Sequence, residues 1–234
     1  KVGIIGCGMI TQTRHAPEYA QNPNAEIVGL YDANAERAGE FAALYDCKAY
    51  PSVEALLADP EIEAVSVCSP NYTHAEYSIK ALQAGKHVLC EKPMAMNATE
   101  AQTMLDAAKR NHRLLMIGFV RRFGNDCAVL KDFIDHDQLG ELYYAKATYL
   151  RRKGSPGGWF GDKSRSGGGP LIDLGVHVID LTRYLMGNPK PVSVYGATFY
   201  KLGDRKNVHG AEGYRSFSAA GKDIFDVEDM ATAM

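Results

Sequence analysis

The stretch Val2-Gly3-Ile4-Ile5-Gly6-Cys7-Gly8-Met9-Ile10-Thr11 begins with an apolar run, passes through a glycine-rich turn and ends in helical sequence. A strand, a G-x-G turn and a helix in this order are typical of a site that holds the phosphates of a dinucleotide. Gly6 would permit the tight turn, and Gly8 would let the backbone approach a pyrophosphate. The amides of Met9 and Ile10 would open the helix and donate hydrogen bonds to the phosphate oxygens.

The second predicted strand favours this interpretation over a plain tight turn, which remains the alternative because Thr11 replaces the third glycine. The strand runs from Ala25 to Tyr31 and ends at Asp32. A carboxylate there can accept hydrogen bonds from an adenosine ribose and repels a 2′-phosphate, so we expect NAD. Arg37 is near enough in sequence to offset that repulsion, which leaves NADP open. Asp32 could also, or instead, serve as the acid that opens a helix from Ala33 to Tyr45.

Short strands and helices continue to alternate up to Phe119, which predicts an α/β fold with a doubly wound parallel sheet over residues 1–120. The remaining predicted strands lie near Lys48–Tyr50, Ala64–Cys68, Val88–Cys90 and Leu114–Phe119. One further predicted helix follows the glycine turn and ends near Gln21, and three others cover 52–58, 75–84 and 97–111. An Asn97-x-x-Glu100 capping box begins the last of them.

The pattern changes after Phe119. Long two-sided segments from Leu142 to Arg151 and from Pro191 to Leu202, and a third that begins at Val227, suit an antiparallel sheet. Residues 121–234 therefore predict an α+β domain with an open mixed, largely antiparallel sheet. Because such strands leave a sheet edge uncovered at Met234, we expect the chain to be C-terminally incomplete, the front part of a longer protein.

Two features of the second half complete this outline. A helix is predicted from Cys127 to His136, and a loop rich in glycine and basic residues from Lys153 to Gly169. The loop carries the only tryptophan, Trp159. The side chains that could line a substrate site here are Arg121, Arg122, Trp159 and Arg165.

A possible reactive group follows the strand Val88–Cys90, which ends abruptly in Glu91-Lys92-Pro93. Open α/β sheets bind ligands at the carboxyl ends of their strands, so Glu91 and Lys92 lie where chemistry is expected. Taken alone, the pair is explained as simply by a surface ion pair.

A second group lies on a predicted helix. Three glycines followed by Pro170 indicate where this helix starts, and Gly187 indicates where it ends. Asp173, His177 and Asp180 fall on one stripe of this helix. An acid four residues before a histidine can hold it by a hydrogen bond and favour its charged form. An exposed ion pair worth a few tenths of a kcal/mol is the simpler alternative.

Together, the G-x-G turn, Glu91-Lys92-Pro93 and the Gly-Gly-x-x-x-Asp-x-Gly-x-x-His pattern resemble the glucose–fructose oxidoreductase/inositol dehydrogenase (Gfo/Idh/MocA) family. The resemblance covers the whole chain. It implies a Rossmann domain followed by an α/β domain whose open sheet is often used to oligomerise, and a cis bond at Lys92–Pro93. It also implies that Lys92, Asp173 and His177 are catalytic. The residues expected to bind the cofactor are Gly6, Gly8, Met9, Ile10, Asp32, Arg37, Ser69, Asn71, His74, Glu91, Lys92 and Trp159.

The reaction implied is NAD(P)-dependent hydride transfer between nicotinamide and a secondary alcohol of a sugar, sugar derivative or cyclitol. His177 would act as general base, Asp173 would orient His177 or bind a neighbouring hydroxyl, and Lys92 would polarise the carbonyl oxygen. Two alternatives remain. One is a redox-neutral glycoside hydrolase that uses tightly held NAD. The other is a non-catalytic cofactor-sensing regulator.

The composition restricts the partners and the location. The 234 residues carry a net charge of -2, which gives no reason to expect nucleic acid or an anionic membrane. No apolar stretch approaches the roughly 18 residues of a membrane span. The five cysteines are scattered without a C-x-x-C pair, so we expect no metal site and a reducing, cytoplasmic location. A homo-oligomer, dimer or tetramer, is expected through the second sheet.

Overall fold

The computed structural model describes residues 1–151, 155–202, 216–217 and 224–234. The first two residues of the predicted loop Lys153–Gly169 lie outside this described part. The described chain contains a six-stranded sheet and a two-stranded sheet.

The six-stranded sheet is parallel throughout and confirms the predicted doubly wound fold. Its strands lie side by side in the order β3-β2-β1-β4-β5-β6. The order reverses between β1 and β4, and open α/β sheets bind ligands at the carboxyl ends of the strands at such a point. The strands are β1 (Val2–Ile5), β2 (Ile27–Tyr31), β3 (Lys48–Ala49), β4 (Ala64–Val67), β5 (His87–Cys90) and β6 (Leu115–Ile117).

Helices cover both faces of this sheet. Successive side chains of a strand point to opposite faces, so each face forms its own apolar cluster with the helices that cover it. Ile4 packs in one apolar cluster with Leu30, while Ile5 packs in the other with Val67 and Met104. A fully buried side chain of this size contributes about 1.5–3 kcal/mol. The helices are α1 (Ala16–Gln21), α2 (Ala35–Tyr45), α3 (Val53–Ala58), α4 (His74–Gln83) and α5 (Ala98–Arg110), with a turn of π-helix at Thr11–His15.

The predicted capping box at the start of α5 is present. The amide of Glu100 donates to Asn97 Oδ1 over 2.9 Å, and Asn97 Nδ2 donates to Glu100 Oε1 over 2.8 Å. Thr11, at the position of the missing third glycine, is fully buried and its hydroxyl donates to the Gly6 carbonyl over 2.6 Å. The threonine therefore ties the first helical turn to the glycine turn with a hydrogen bond.

The second half contains the predicted antiparallel pair of strands, both shorter than the sequence predicts. They are β7 (Gly196–Phe199) and β8 (Met230–Ala233). The helices are α6 (Asn125–Asp135), α7 (Lys163–Ser166) and α8 (Val176–Leu185), with a turn of π-helix at Leu171–Gly175 before α8. The residue after α8's last turn, Gly187, has a φ of 77°, as expected for a helix-ending glycine.

The predicted strand from Leu142 to Arg151 is wrong. No strand pairing involves this segment within the part of the chain that the structure describes. Tyr143 and Leu150 are 89% and 87% exposed. Alternation of side chains suits a strand, but a strand also needs a neighbour for its backbone hydrogen bonds, and none of the described residues supplies one.

Candidate active site

A cleft of about 1150 Å³ lies at the carboxyl ends of the parallel strands, against the second half of the chain. Every residue predicted to be catalytic or to bind cofactor lines it. These residues are Gly6, Gly8, Met9, Ile10, Asp32, Arg37, Ser69, Asn71, His74, Glu91, Lys92, Trp159, Asp173 and His177. The fold thus brings the motifs together, although their individual roles remain proposals.

The glycine turn leaves no room for a side chain on one side and is open on the other. Gly6 has a φ of 100°, and a Cβ there would lie 2.8 Å from the backbone of Cys68 and Ser69. A Cβ at Gly8 would meet nothing within 4 Å. This turn can therefore pass close to the loop after β4 and still admit a phosphate, which is the fit that a dinucleotide requires.

Asp32 holds the end of β2 against this turn. Its Oδ2 accepts a hydrogen bond from the Cys7 amide over 2.7 Å, and its Oδ1 accepts one from the Asn34 amide over 2.8 Å. Arg37 Nη1 lies 3.5 Å from Asp32 Oδ1, and Arg37 Nη2 donates to the carbonyl of Phe217 over 3.3 Å. The guanidinium is thus already engaged by protein groups.

Glu91 forms a buried ion pair with His15, a residue that the sequence analysis missed. Their side chains are 12% and 11% exposed, and His15 Nε2 lies 2.8 Å from Glu91 Oε1. Burial alone would lower the pKa of His15, but Cys68 and Glu91 raise it to about 10. Burial raises the pKa of Glu91, but His15 and Lys92 together lower it by more, so the net shift is downward. The two residues are 76 positions apart, so no sequence spacing indicates the pair.

Lys92 joins the first half of the chain to the second. Its Nζ donates to Asp173 Oδ1 over 2.8 Å and to the Asp173 carbonyl over 2.9 Å. Arg151 Nη1 lies 3.8 Å from the other carboxylate oxygen, Asp173 Oδ2. The bond between Lys92 and Pro93 is cis, as predicted.

His177 lies in the same cleft, but the predicted hydrogen bond between the His177 ring and the Asp173 carboxylate is absent among the described residues. Asp173 instead bonds to Lys92. The π-helical turn at Leu171–Gly175 places hydrogen bonds five residues apart, which changes the angle between positions 173 and 177 from that of a regular helix. His177 Nδ1 is buried and has no hydrogen-bond partner in the described part of the chain.

The charges around His177 favour its neutral form, the opposite of the sequence-based expectation. Burial, followed by the Lys92 cation, lowers the pKa of His177 to about 4. Asp173 and Glu91 raise it, and Arg121 lowers it, by smaller amounts. A histidine that is neutral near pH 7 can accept a proton.

Asp180, the third member of the predicted stripe, faces a different group. It forms an ion pair with Arg122, which donates from both Nε and Nη2 to its two carboxylate oxygens. The guanidinium also lies 5.0 Å from the centre of the Tyr184 ring. Arg122 thus anchors α8, and neither it nor Asp180 is among the residues that line the cleft.

The other predicted substrate-side residues do line the cleft. Arg121 belongs to the turn after β6, Arg165 lies 5.5 Å from the centre of the Tyr72 ring, and Trp159 stacks on Phe160 at 3.8 Å. Arg151 and Tyr149 also line it and were missed as site residues. Their predicted place in a paired strand hid the fact that the segment borders the cleft.

The described residues contain no group of three or more His, Cys, Asp or Glu side chains that could hold a metal ion. The cations and bases of the cleft include Lys92, His177 and several arginines. Together they can orient an alcohol or carbonyl oxygen and exchange a proton with it.

Comparisons with known proteins agree with this geometry. Residues 1–119 match the model of an oxidoreductase family with an NAD-binding Rossmann fold, and residues 128–234 match the Gfo/Idh/MocA C-terminal domain. The chain belongs to the Gfo/Idh/MocA oxidoreductase family. The resemblance noted in the sequence is thereby confirmed, and so is the NAD-binding Rossmann fold. The division of the chain between residues 120 and 121 stays a prediction.

Relatives in the Gfo/Idh/MocA family include sugar dehydrogenases. The chain is 38% identical to D-glucoside 3-dehydrogenase of Escherichia coli over 88% of this chain and 60% of that one. It is 38% identical to glucose-6-phosphate 3-dehydrogenase of Bacillus subtilis over 79% and 53%. A solved levoglucosan dehydrogenase in complex with NADH and levoglucosan has 29% identity and a TM-score of 0.81, covering 100% of this chain and 62% of that one. The chain thus spans between half and two thirds of the length of these relatives.

Within the described part of the chain, no helix is long and apolar enough to cross a membrane.

Proposed function

We propose that the protein is an NAD-dependent dehydrogenase that oxidises a secondary alcohol of a sugar, sugar derivative or cyclitol. One observation carries the proposal: Lys92 and the neutral His177 share a cleft with the open Gly6–Gly8 turn. A cation, a base and a dinucleotide turn in one cleft suit proton removal from an alcohol next to a nicotinamide. The sugar dehydrogenases among the relatives support the substrate class.

When bound, the cofactor would accept the hydride, and the chain's own residues would supply orientation and proton transfer. The Gly6–Gly8 turn and Asp32 would hold its phosphates and ribose. The Lys92 ammonium would donate to the substrate oxygen and stabilise the charge that develops on it. His177 would take the hydroxyl proton at Nε2, because Nδ1 is buried. Asp173 would keep Lys92 in place.

The test of this function is a panel of polyols, inositols, sugars, sugar phosphates and sugar nucleotides with NAD, followed by NADH absorbance. We expect at least one to give NADH in stoichiometric amount with the oxidised product. Cleavage of a glycoside without net NADH would identify the redox-neutral alternative. Binding of NAD without turnover of any member would contradict the proposed reaction.

The pKa of His177 predicts the acid side of the pH profile. Because the folded value is about 4, below the ordinary 6.5, the base stays neutral and kcat/KM should hold until the pH falls near 4. An unperturbed histidine would lose activity near pH 6.5. The measurement is kcat/KM against pH over the range in which circular dichroism shows the protein folded. Asp173→Asn should move the midpoint lower, since Asp173 raises the pKa of His177.

A preference for NAD over NADP is also proposed, on the carboxylate of Asp32 and the engagement of Arg37 by Asp32 and Phe217. Asp32→Ser should lower the ratio of kcat/KM for NAD to that for NADP at least about tenfold, equal to ~1.4 kcal/mol. The ratio is the measurement because Asp32 also holds the Cys7 amide. Glu36→Gln, an exposed acid nearby on α2, is the control and should leave the ratio unchanged. An unchanged ratio in Asp32→Ser would refute the preference.

Assembly and location are proposed on separate observations. Val192, Val194 and Tyr195 beside the second sheet are 97%, 76% and 78% exposed, which supports a dimer or tetramer through this sheet. Light scattering during size exclusion tests it. All five cysteines are free, which supports a reducing cytoplasmic location.

A further inference from the structure

We propose that Asn71 and His74 are positioning residues. They hold Lys92 at a fixed position relative to the helical segment that carries Asp173 and His177, on the other side of the cleft. The inference rests on the proposed function, and it differs from the expectation that these two residues bind the cofactor. They lie three positions apart after the carboxyl end of β4, Asn71 at the start of a short 3₁₀ turn and His74 at the first residue of α4. Asn71 contacts the loop that precedes Asp173, and His74 contacts the loop that carries Lys92.

Asn71 holds the loop that leads into the second catalytic group. Its side-chain Nδ2 donates to the carbonyl of Ser166 over 2.8 Å, and the two residues are 95 positions apart. Asn71 is 5% exposed and Ser166 is 2% exposed. Ser166 directly precedes the glycines that open the helical segment of Asp173 and His177. A buried amide donor with a carbonyl partner makes this a hydrogen bond that holds the loop against the first half of the chain.

The same loop has little freedom once Asn71 holds one end. A Cβ at Gly169 would overlap the backbone carbonyl of Glu228, and the Leu171 amide donates to Glu228 Oε1 over 3.3 Å. The loop is thus clamped between Asn71 on one side and Glu228 on the other. Its path determines where the helix that carries Asp173 begins.

His74 holds the other catalytic loop. Its Nδ1 lies 2.7 Å from the carbonyl of Pro93, and its Nε2 lies 2.8 Å from the carbonyl of Ser69. The residue is 1% exposed, and burial lowers its pKa, although the two carbonyls oppose that shift. The neutral ring that this pKa favours has one N–H, so it donates to one of the two carbonyls and contacts the other. Because Pro93 follows Lys92 directly, the ring lies between the lysine's loop and the loop after β4.

These two links make a continuous frame from Lys92 to Asp173. Lys92 follows Cys90 and Glu91 at the end of β5, and its Nζ reaches Asp173 over 2.8 Å. A displacement of about 1 Å at a reacting group can cost ~10²-fold in rate. Asn71 Nδ2 and both ring nitrogens of His74 already face carbonyls of the protein, so these atoms are not available to a cofactor.

The two roles predict different kinetics. A residue that binds cofactor weakens NADH binding when it is removed, whereas a positioning residue lowers kcat and leaves the Kd for NADH in place. Asn71→Asp keeps the size of the side chain but replaces the donor by an oxygen facing the Ser166 carbonyl. We expect kcat to fall about 10²-fold and the Kd for NADH to change less than about twofold. Asn71→Ala should behave in the same way with a smaller electrostatic penalty.

The matched control is Asn24→Asp, an exposed asparagine before β2, which should leave both quantities unchanged. His74→Gln retains a donor for one carbonyl and should lose less activity than His74→Ala. A rise in the Kd for NADH that accounts for the whole loss would overturn the proposal, as would full activity in Asn71→Asp. Thermal unfolding shows whether each variant has folded. If Asn71→Asp does not fold, the kcat and the Kd for NADH of Asn71→Ala test the proposal instead.

A second readout needs no turnover. Lys92 contributes to the lowered pKa of His177, so a lysine out of register should let that pKa rise. NMR titration of His177 in the wild type and in Asn71→Ala measures the difference. If the sugar panel gives no NADH with the wild type, the proposed function fails, and this titration still tests the positioning role. An unchanged titration of His177 would refute it.

Discussion

Lys92→Met is expected to lower kcat for alcohol oxidation at least about 10²-fold while the protein remains folded and still binds NADH. The methionine keeps most of the aliphatic stem but removes the ammonium that would stabilise charge on the reacting oxygen, and losses of 10²–10⁴-fold are typical for such groups. It also leaves Asp173 without the cation 2.8 Å away. The measurements are kcat with the best substrate of the panel and the Kd for NADH by its fluorescence.

The same variant carries an electrostatic signature. Because Lys92 lowers the pKa of His177, its removal should move the acid limb of kcat/KM upward from about 4 toward the ordinary value of 6.5. Lys109→Met, on the exposed side of α5, is the control and should change neither the rate nor the limb. A rate within a few-fold of the wild type would remove Lys92 from the chemistry.

Glu91→Gln is expected to destabilise the protein by about 3 kcal/mol, because it leaves the protonated His15 buried without its carboxylate. Glutamine has nearly the same volume, so a cavity contributes little. Denaturation by urea at several pH values gives the free energy of unfolding. Glu18→Gln, whose side chain is 68% exposed in its ion pair with Arg14, should change it very little.

The effect should depend on pH in a defined direction. The raised pKa of His15 contributes stability that is complete below 6.5 and is lost as the pH rises toward about 10. The lowered pKa of Glu91 contributes stability that is present above 4.5 and is lost as the pH falls through the folded value. The difference between wild type and Glu91→Gln should therefore be largest between about pH 4.5 and 6.5. The double variant His15→Gln/Glu91→Gln should recover part of the loss, because no lone charge stays buried. A difference that does not vary with pH would contradict this account.

Local sequence was sufficient for most of the first half of the molecule. The six parallel strands and the Asn97 cap follow from short apolar runs, breaker residues and one side-chain hydrogen bond, all of which act over a few positions. The ligand end of the sheet follows as well, since the strands are parallel and every strand motif then ends at one edge. For this reason Gly6, Asp32 and Lys92 could be assigned to one cleft.

Local sequence failed where the outcome depended on a distant partner. Alternation from Leu142 to Arg151 indicates a strand, yet no described residue offers the backbone groups that a strand must bond. Asp173, four residues before His177, indicated a hydrogen bond to the histidine ring. In the structure its carboxylate accepts a hydrogen bond from Lys92, a residue of the first half of the chain. His15 carries no signal of its own, because its partner lies 76 positions away.

The sequence by itself determined which residues could do chemistry and at which edge of the sheet they would lie. Only the tertiary structure decided which of them touch, and therefore how each is charged. Asp173 pairs with Lys92, and Asp180 pairs with Arg122. His177 is therefore buried near the Lys92 cation, and its pKa is lowered to about 4 instead of raised. The physical reason is that burial and charge act through space over a few ångströms, whereas the sequence records only separation along the chain.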